Sequence, residues 1–180
     1  MTVYTSLRAA NVARQAEWDT GGNIDLSYSG NELAGEAGEL IQATVDLING
    51  GDDYQALREE IGDVIICCDL IALRVGRPLI TRHPVEPRKC HADPRMITDQ
   101  LVDLAIEVGN VSNTIKKQER ERFGMVGARG SLDDMMHNLN EIICLVHWIG
   151  EALGEDAGDC VAEKFNLTSA KYGLQTKMAT

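Results

Sequence analysis

The sequence predicts an all-α helical bundle, and three observations carry that prediction. Apolar residues recur at three- and four-residue intervals over long stretches, period-two alternation is nearly absent, and glycine or proline clusters cut the chain into helix-length pieces. The 180 residues suit one domain, 1–180, with a substantial core.

The first helix is expected from Leu7 to Trp18, with Leu7, Ala10, Val12, Ala13, Ala16 and Trp18 as its apolar positions, and Thr20-Gly21-Gly22-Asn23 breaks it. The second runs from Ser29 to Leu47 or Ile48, turns at Asn49, Gly50 and Gly51, and leads into a third from Tyr54 to Val75, which Gly76, Arg77 and Pro78 stop. Residues 77–96 contain all four prolines and predict an extended connection. A fourth helix spans Met96 to Arg120 and is followed by a basic, glycine-punctuated loop to Gly130. The fifth, Leu132 to Leu153, places Met135, Leu139, Ile142, Val146, Ile149 and Leu153 on one face, and a sixth covers Ala157 to Asn166.

The third helix is the informative one. Leu57, Ile61, Val64, Ile65, Cys68, Ile71, Ala72 and Val75 form one stripe, and Ile66, Cys67, Leu70 and Leu73 cover most of the remainder. A helix apolar nearly all round is buried. Yet Glu60 and Asp63 fall within that apolar surface, and Glu36 and Glu39 form a second i, i+3 pair on the preceding helix. Two helices joined by a short turn pack antiparallel, so the pairs can face each other. A buried, unpaired carboxylate costs several kcal/mol or becomes neutral, and a divalent cation removes that cost. Oxygen-only ligands favour Mg²⁺ or Mn²⁺ over zinc. The expected metal ligands are Glu36, Glu39, Glu60 and Asp63, against the plainer alternative of solvated helix faces. Gly35, Gly38 and Gly62 interrupt these helices at about 1 kcal/mol each relative to alanine, which tight packing or room for a ligand would offset. Asp69, also among apolar neighbours, is expected to be hydrogen-bonded within the protein.

Composition bounds the partners. A formal charge of −11 argues against a duplex nucleic-acid binder and against an anionic membrane surface. No apolar run reaches a membrane span and no signal-peptide pattern opens the chain, so a cytoplasmic protein is expected. Cys67, Cys68, Cys90, Cys144 and Cys160 are odd in number and are expected as free thiols. His83, Cys90 and His91 share one loop, but their spacing matches no common zinc motif.

An internal repeat aligns residues 29–76 with 97–154. Leu33-Ala-Gly-Glu-Ala-Gly-Glu-Leu pairs with Leu104-Ala-Ile-Glu-Val-Gly-Asn-Val, so Glu36, Glu39, Glu60 and Asp63 correspond to Glu107, Asn110, Asn138 and Glu141. Amides replace half of the acids, and the second copy is expected to bind metal poorly. It carries instead the cationic stretch Lys116 to Arg129, suited to a polyphosphate or, equally, to an ordinary helix C-terminus. Lys164 to Thr176 is similar in character.

Taken together, Glu36-x-x-Glu39, the spacer and Glu60-x-x-Asp63 resemble the signature of the MazG-like all-α nucleoside triphosphate pyrophosphatases. Ala10 to Asp19, Gly30 to Glu39, Val64 to Ala72, Lys116 to Arg129 and Lys164 to Thr176 resemble a phage-type branch of that family, so the likeness covers most of the chain. The order departs from that branch, because the basic stretch here follows the degenerate copy, as though two family units were fused. The resemblance implies hydrolysis of a nucleoside triphosphate to a monophosphate and pyrophosphate, with two or more Mg²⁺ or Mn²⁺ ions on the four carboxylates, which serve as ligands and catalytic groups. It implies Lys116, Lys117, Arg120, Arg129, Lys164 and Lys171 as phosphate contacts, and Asn31, Asn166 and Trp18 as sugar and base contacts. A purine is expected, dGTP or GTP first, for nucleotide-pool control or modified-base synthesis, and a homodimer is expected. The rival readings are a phosphoribosyl-ATP pyrophosphohydrolase and a non-catalytic helical module that binds a metal or a nucleotide.

Overall fold

The computed structural model describes residues 3–79 and 93–179, and every regular element among them is helical. The helices are α1 (Val3–Trp18), α2 (Leu26–Ile48), α3 (Tyr54–Arg74), α4 (Pro94–Arg122), α5 (Leu132–Leu153) and α6 (Ala157–Lys171). Most of the expected 77–96 connection, including Pro84, Pro87, His83, Cys90 and His91, lies outside the described residues.

Side-chain caps set where the helices begin. Asp25 accepts a hydrogen bond from the Tyr28 amide at 2.9 Å, which starts α2 at Leu26 rather than at Ser29. Asp53 caps α3 through the Ala56 amide at 3.0 Å, and Asp93 caps α4 at Pro94 rather than Met96, because proline at the first helical position gives up no hydrogen bond. Ser131 and Asp156 do the same for α5 and α6. Each cap satisfies an otherwise orphaned amide and contributes about 1 kcal/mol. At the other end α6 continues past Asn166 to Lys171, carrying buried Ser169, and stops where Gly173 turns left-handed at φ +70°.

The packing follows from the apolar patterns. α3 is the central element: it lies against α1, α2, α5 and α6, and Leu57, Ile61, Val64, Ile65, Cys68, Ile71 and Ala72 are fully buried on it. α2 pairs with α3 and also with α4, and α4 pairs with α5. Phe165, Leu7, Leu33, Met135, Leu139 and Ile142 complete the core. A fully buried side chain of this size contributes about 1.5–3 kcal/mol relative to exposure. The buried face of α5 is the one the sequence indicates, with Met135, Leu139, Ile142, Val146 and Ile149 inside.

On α1 the expected face is corrected. Val12 is 51% exposed and Ala13 and Ala16 are exposed, whereas Asn11 and Arg14 share the inner face with Leu7 and Ala10. The reason is Asp69, 2% exposed on α3, which accepts from Arg8 Nε at 2.8 Å and from Asn11 Nδ2 at 2.9 Å. Helix α1 turns its polar residues inward because the buried carboxylate needs donors. Asp69 is therefore a packed, hydrogen-bonded acid, as the sequence indicates. Cys67, Cys68, Cys144 and Cys160 are free thiols. Among the described residues, no helix is long and apolar enough to cross a membrane.

Candidate metal centre

The α2–α3 turn brings the two acidic helices together. Gly50 takes φ +98°, and a side chain on Gly51 would meet the Asp46 carbonyl oxygen at 2.9 Å, so the turn is as tight as the backbone allows. The helices then run back against each other and place carboxylate oxygens of Glu36, Glu60 and Asp63 within 4.8 Å of one another. All three are half-buried. Glu39 is exposed and stands outside this group, although its charge still acts on Glu36 and Glu60.

The electrostatics are those of anions held too close. Burial first, and then Asp63 and Glu60, push the Glu36 carboxyl up to about 8. Burial and neighbouring acids also raise Glu60, and burial raises Asp63. One Glu60 oxygen, Oε2, is buried without a hydrogen-bond partner. An orphaned buried acceptor in an all-oxygen cluster of raised carboxylates has the donor set and the unmet charge that a hard divalent ion satisfies. Glu36, Glu60 and Asp63 therefore fit Mg²⁺ or Mn²⁺.

A resident cation already meets part of the charge. Lys164 Nζ lies 2.8 Å from Asp63 and 3.0 Å from Glu59. Burial alone would lower Lys164, but these two hydrogen bonds outweigh it and the net shift is upward. Gly62 makes this reach possible. An added Cβ there would stand 2.6 Å from Lys164 Cβ and 2.8 Å from the Cys160 carbonyl oxygen, so only glycine lets α6 approach α3 this closely. Gly35 and Gly38 have open space above them instead.

Glu36 and Asp63, with Glu32 and Glu59, line one wall of a cavity of about 600 Å³, and Glu60 stands behind that wall within 4.8 Å of them. Trp18 and Tyr172 form its aromatic lip, with ring centroids 4.8 Å apart. The chain after α6 holds Tyr172 there: Glu17 accepts from the Gln175 and Thr176 amides at 2.6 and 2.9 Å and from the Thr176 hydroxyl. Arg14 lies deep in the wall, 3% exposed, with its guanidinium 3.7 Å from the centre of the Phe165 ring and its Nε without a hydrogen-bond partner. Burial lowers Arg14 to about 10, which leaves it cationic at neutral pH. Arg74 lines the cavity as well, donating to Ser29 Oγ at 2.7 Å and to Gln15 Oε1 at 3.0 Å.

Of the residues expected to contact substrate, Trp18, Lys164 and Lys171 line this cavity. Asn31, Lys116 and Arg120 line a different groove between α2 and α4. Lys117 packs beside Gly130 in neither cavity, and Arg129 is exposed and ion-paired with Glu121 at 3.2 Å. Asn166 clamps the tail: its Nδ2 donates to the Met178 carbonyl at 2.9 Å and its Oδ1 accepts from the Met178 amide at 2.8 Å. The sequence reading missed Arg14, Arg74, Glu32, Glu59 and Tyr172. A signal for Arg14 was present, because it recurs with Leu7, Ala10 and Asn11 at helical spacing on one face.

The corresponding positions on α4 and α5 behave differently. Glu107 accepts from Asn110 Nδ2 at 3.3 Å, and the Asn138 amide nitrogen, turned toward it, reaches Glu107 Oε2 at 3.2 Å. Amide donors satisfy that carboxylate without an ion, and among the described residues only Glu36, Glu60 and Asp63 form an acidic group compact enough for a metal. Comparison with protein-family models, with curated proteins and with solved structures gives no significant match to this chain.

Proposed function

We propose that the protein is a Mg²⁺- or Mn²⁺-dependent nucleoside triphosphate pyrophosphohydrolase that releases a nucleoside monophosphate and pyrophosphate. The observation that carries this reading is the juxtaposition of three converging carboxylates, two of which, Glu36 and Asp63, line one cleft together with cationic side chains and an aromatic pair. The cavity of about 600 Å³ is within the range that nucleotide-sized ligands occupy.

Glu36, Glu60 and Asp63 hold the cation, which when bound neutralises phosphate charge and makes a water molecule more acidic. Lys164 keeps Asp63 oriented toward the cleft, and Lys171 and Arg74 supply charge for the phosphates beyond it. Trp18 and Tyr172 offer ring faces on which a base stacks. A carboxylate not committed to the cation accepts the proton of the attacking water as the α–β phosphoanhydride bond breaks. Nothing in the cleft selects between bases, and the purine preference, dGTP or GTP first, rests on the family resemblance alone.

The test is pyrophosphate release from a panel of dNTPs and NTPs with Mg²⁺ or Mn²⁺, comparing the wild type with Asp63→Asn. Release with a monophosphate product, lost in the variant, is the expected result. Metal binding by the wild type without hydrolysis of any nucleotide would replace the enzyme reading with a helical metal-binding module.

A further inference from the structure

The half of α1 that reaches the cleft has no apolar anchor. Leu7 and Ala10 are buried, but from Asn11 to Trp18 the apolar side chains, Val12, Ala13, Ala16 and Trp18, are all exposed. Polar bonds hold this half instead: Arg14 donates to the Phe165 carbonyl at 3.3 Å, and Gln15 Oε1 accepts from Arg74 at 3.0 Å. At the end of the helix Glu17 accepts from the Gln175 and Thr176 amides and the Thr176 hydroxyl, using both carboxylate oxygens. The Thr176 hydroxyl and then the Gln175 amide hold the Glu17 carboxyl below its ordinary range, so the acceptor is charged at neutral pH.

The segment that Glu17 grips is bound back onto α6. The Leu174 amide donates to the Ser169 carbonyl at 2.8 Å, Asn166 brackets Met178 with two hydrogen bonds, and Lys177 Nζ reaches the Asn166 carbonyl at 3.0 Å. Met178 is 6% exposed and seated in the core. Glu17 therefore ties the end of α1 to the end of α6, two helices that otherwise touch only lightly. Trp18 adjoins Glu17 on one side of this bridge, and Tyr172 precedes the gripped residues on the other. Their rings meet with planes 43° apart.

We propose that Glu17 is a positioning residue for the nucleotide: without touching the ligand, it sets how the Trp18 and Tyr172 rings stand to each other and so how well a base stacks on them. This role rests on the cleft being the nucleotide site proposed above. A gap of about 0.5–1 Å already forfeits roughly a quarter to a half of a dispersion contact, so stacking responds to small movements of the α1 end.

Calorimetric titration of the full chain with Mg²⁺ and α,β-methylene-GTP, a nucleotide that cannot be cleaved between its α and β phosphorus atoms, tests the proposal. Glu17→Gln keeps the size of the side chain but turns an amide N–H toward a backbone donor, because both oxygens are engaged. Binding about tenfold weaker than wild type is expected, with Thr176→Val weakened in the same sense and the affinity for Mn²⁺ alone unchanged. In a Tyr172→Ala background Glu17→Gln should cost no further affinity, since the two act through one contact. Wild-type affinity for the analogue in Glu17→Gln overturns the proposal, as does a loss additive with Tyr172→Ala. A parallel fall in Mn²⁺ affinity, which marks general damage to the fold, also overturns it, and so does absence of binding by the wild type. Pyrophosphate release separates this role from the reaction. A wild type that binds the analogue but turns over no nucleotide loses the reaction and keeps the role of Glu17, whereas turnover with undiminished binding in Glu17→Gln keeps the reaction alone.

Discussion

Alanine at three glycines should give opposite signs of stability change, and the structure says which. In a helix interior alanine is favoured over glycine by about 1 kcal/mol, so on local grounds Gly35→Ala, Gly38→Ala and Gly62→Ala should all stabilise. At Gly35 and Gly38 nothing stands within 4 Å of an added Cβ, and a gain of about 0.5–1 kcal/mol each is expected. At Gly62 the new carbon would lie 2.6 Å from Lys164 Cβ, roughly 1 Å inside ordinary carbon–carbon contact, and 2.8 Å from the Cys160 carbonyl oxygen. One obstacle is backbone and the other is a Cβ fixed to backbone, so α6 itself must shift. Overpacking of this kind costs about 1–3 kcal/mol, which exceeds the propensity gain and leaves a net loss of about 1 kcal/mol. The shift also draws Lys164 away from Asp63. Urea unfolding of the three variants in EDTA gives the free energies directly, with an unchanged m-value marking a stability effect. A Gly62→Ala protein as stable as Gly35→Ala would refute the close α3–α6 packing, and with it the account of how Lys164 reaches the carboxylates.

The Glu36 carboxyl, raised from 4.5 to about 8 in the folded chain, predicts a pH profile. A raised value means the folded state binds the proton more tightly, so this contribution is complete below the unfolded value and is lost as pH rises through about 8. In EDTA the wild type should therefore lose about 1–2 kcal/mol between about pH 5 and 9, after allowance for solvent screening, and Glu36→Gln should flatten the profile while weakening Mn²⁺ binding; a flat wild-type profile would contradict the burial of like charges. Asn166→Ala removes both hydrogen bonds to Met178, so the amides of Gln175, Thr176 and Met178 should exchange at least about tenfold faster, and an unchanged rate would show that Glu17 alone holds the tail.

The fold was legible because its signals are local. Helical period, the glycine and proline breaks and the all-round apolar character of α3 require no knowledge of what packs where. Helix starts were less legible, since Asp25 and Asp93 cap through side-chain bonds that a hydrophobic pattern does not register. The acidic pairs were also local, and α2 and α3 could be paired because a short turn leaves them little choice. What spacing could not supply was rotation about each helix axis. Glu36 and Glu39 look equivalent in a sequence, yet only Glu36 turns toward Glu60 and Asp63.

Contacts between distant helices lay further out of reach. Lys164 and Asp63 are ion partners because Gly62 lets α6 settle on α3, a relation between residues a hundred positions apart. The basic stretch on α4 and the acids on α2 seemed from sequence to complete one site, whereas the crossing of α2 and α4 at Gly30 and Ile115 puts Lys116 and Arg120 in a groove of their own. The sequence by itself determined the helices, the buried central element and the two acidic pairs on adjoining helices, because periodicity and residue spacing act on each segment alone. Only the tertiary structure decided which carboxylates converge, that Arg14 lines the cleft, and where each cation points, because those depend on close approach between helices that share no sequence neighbourhood.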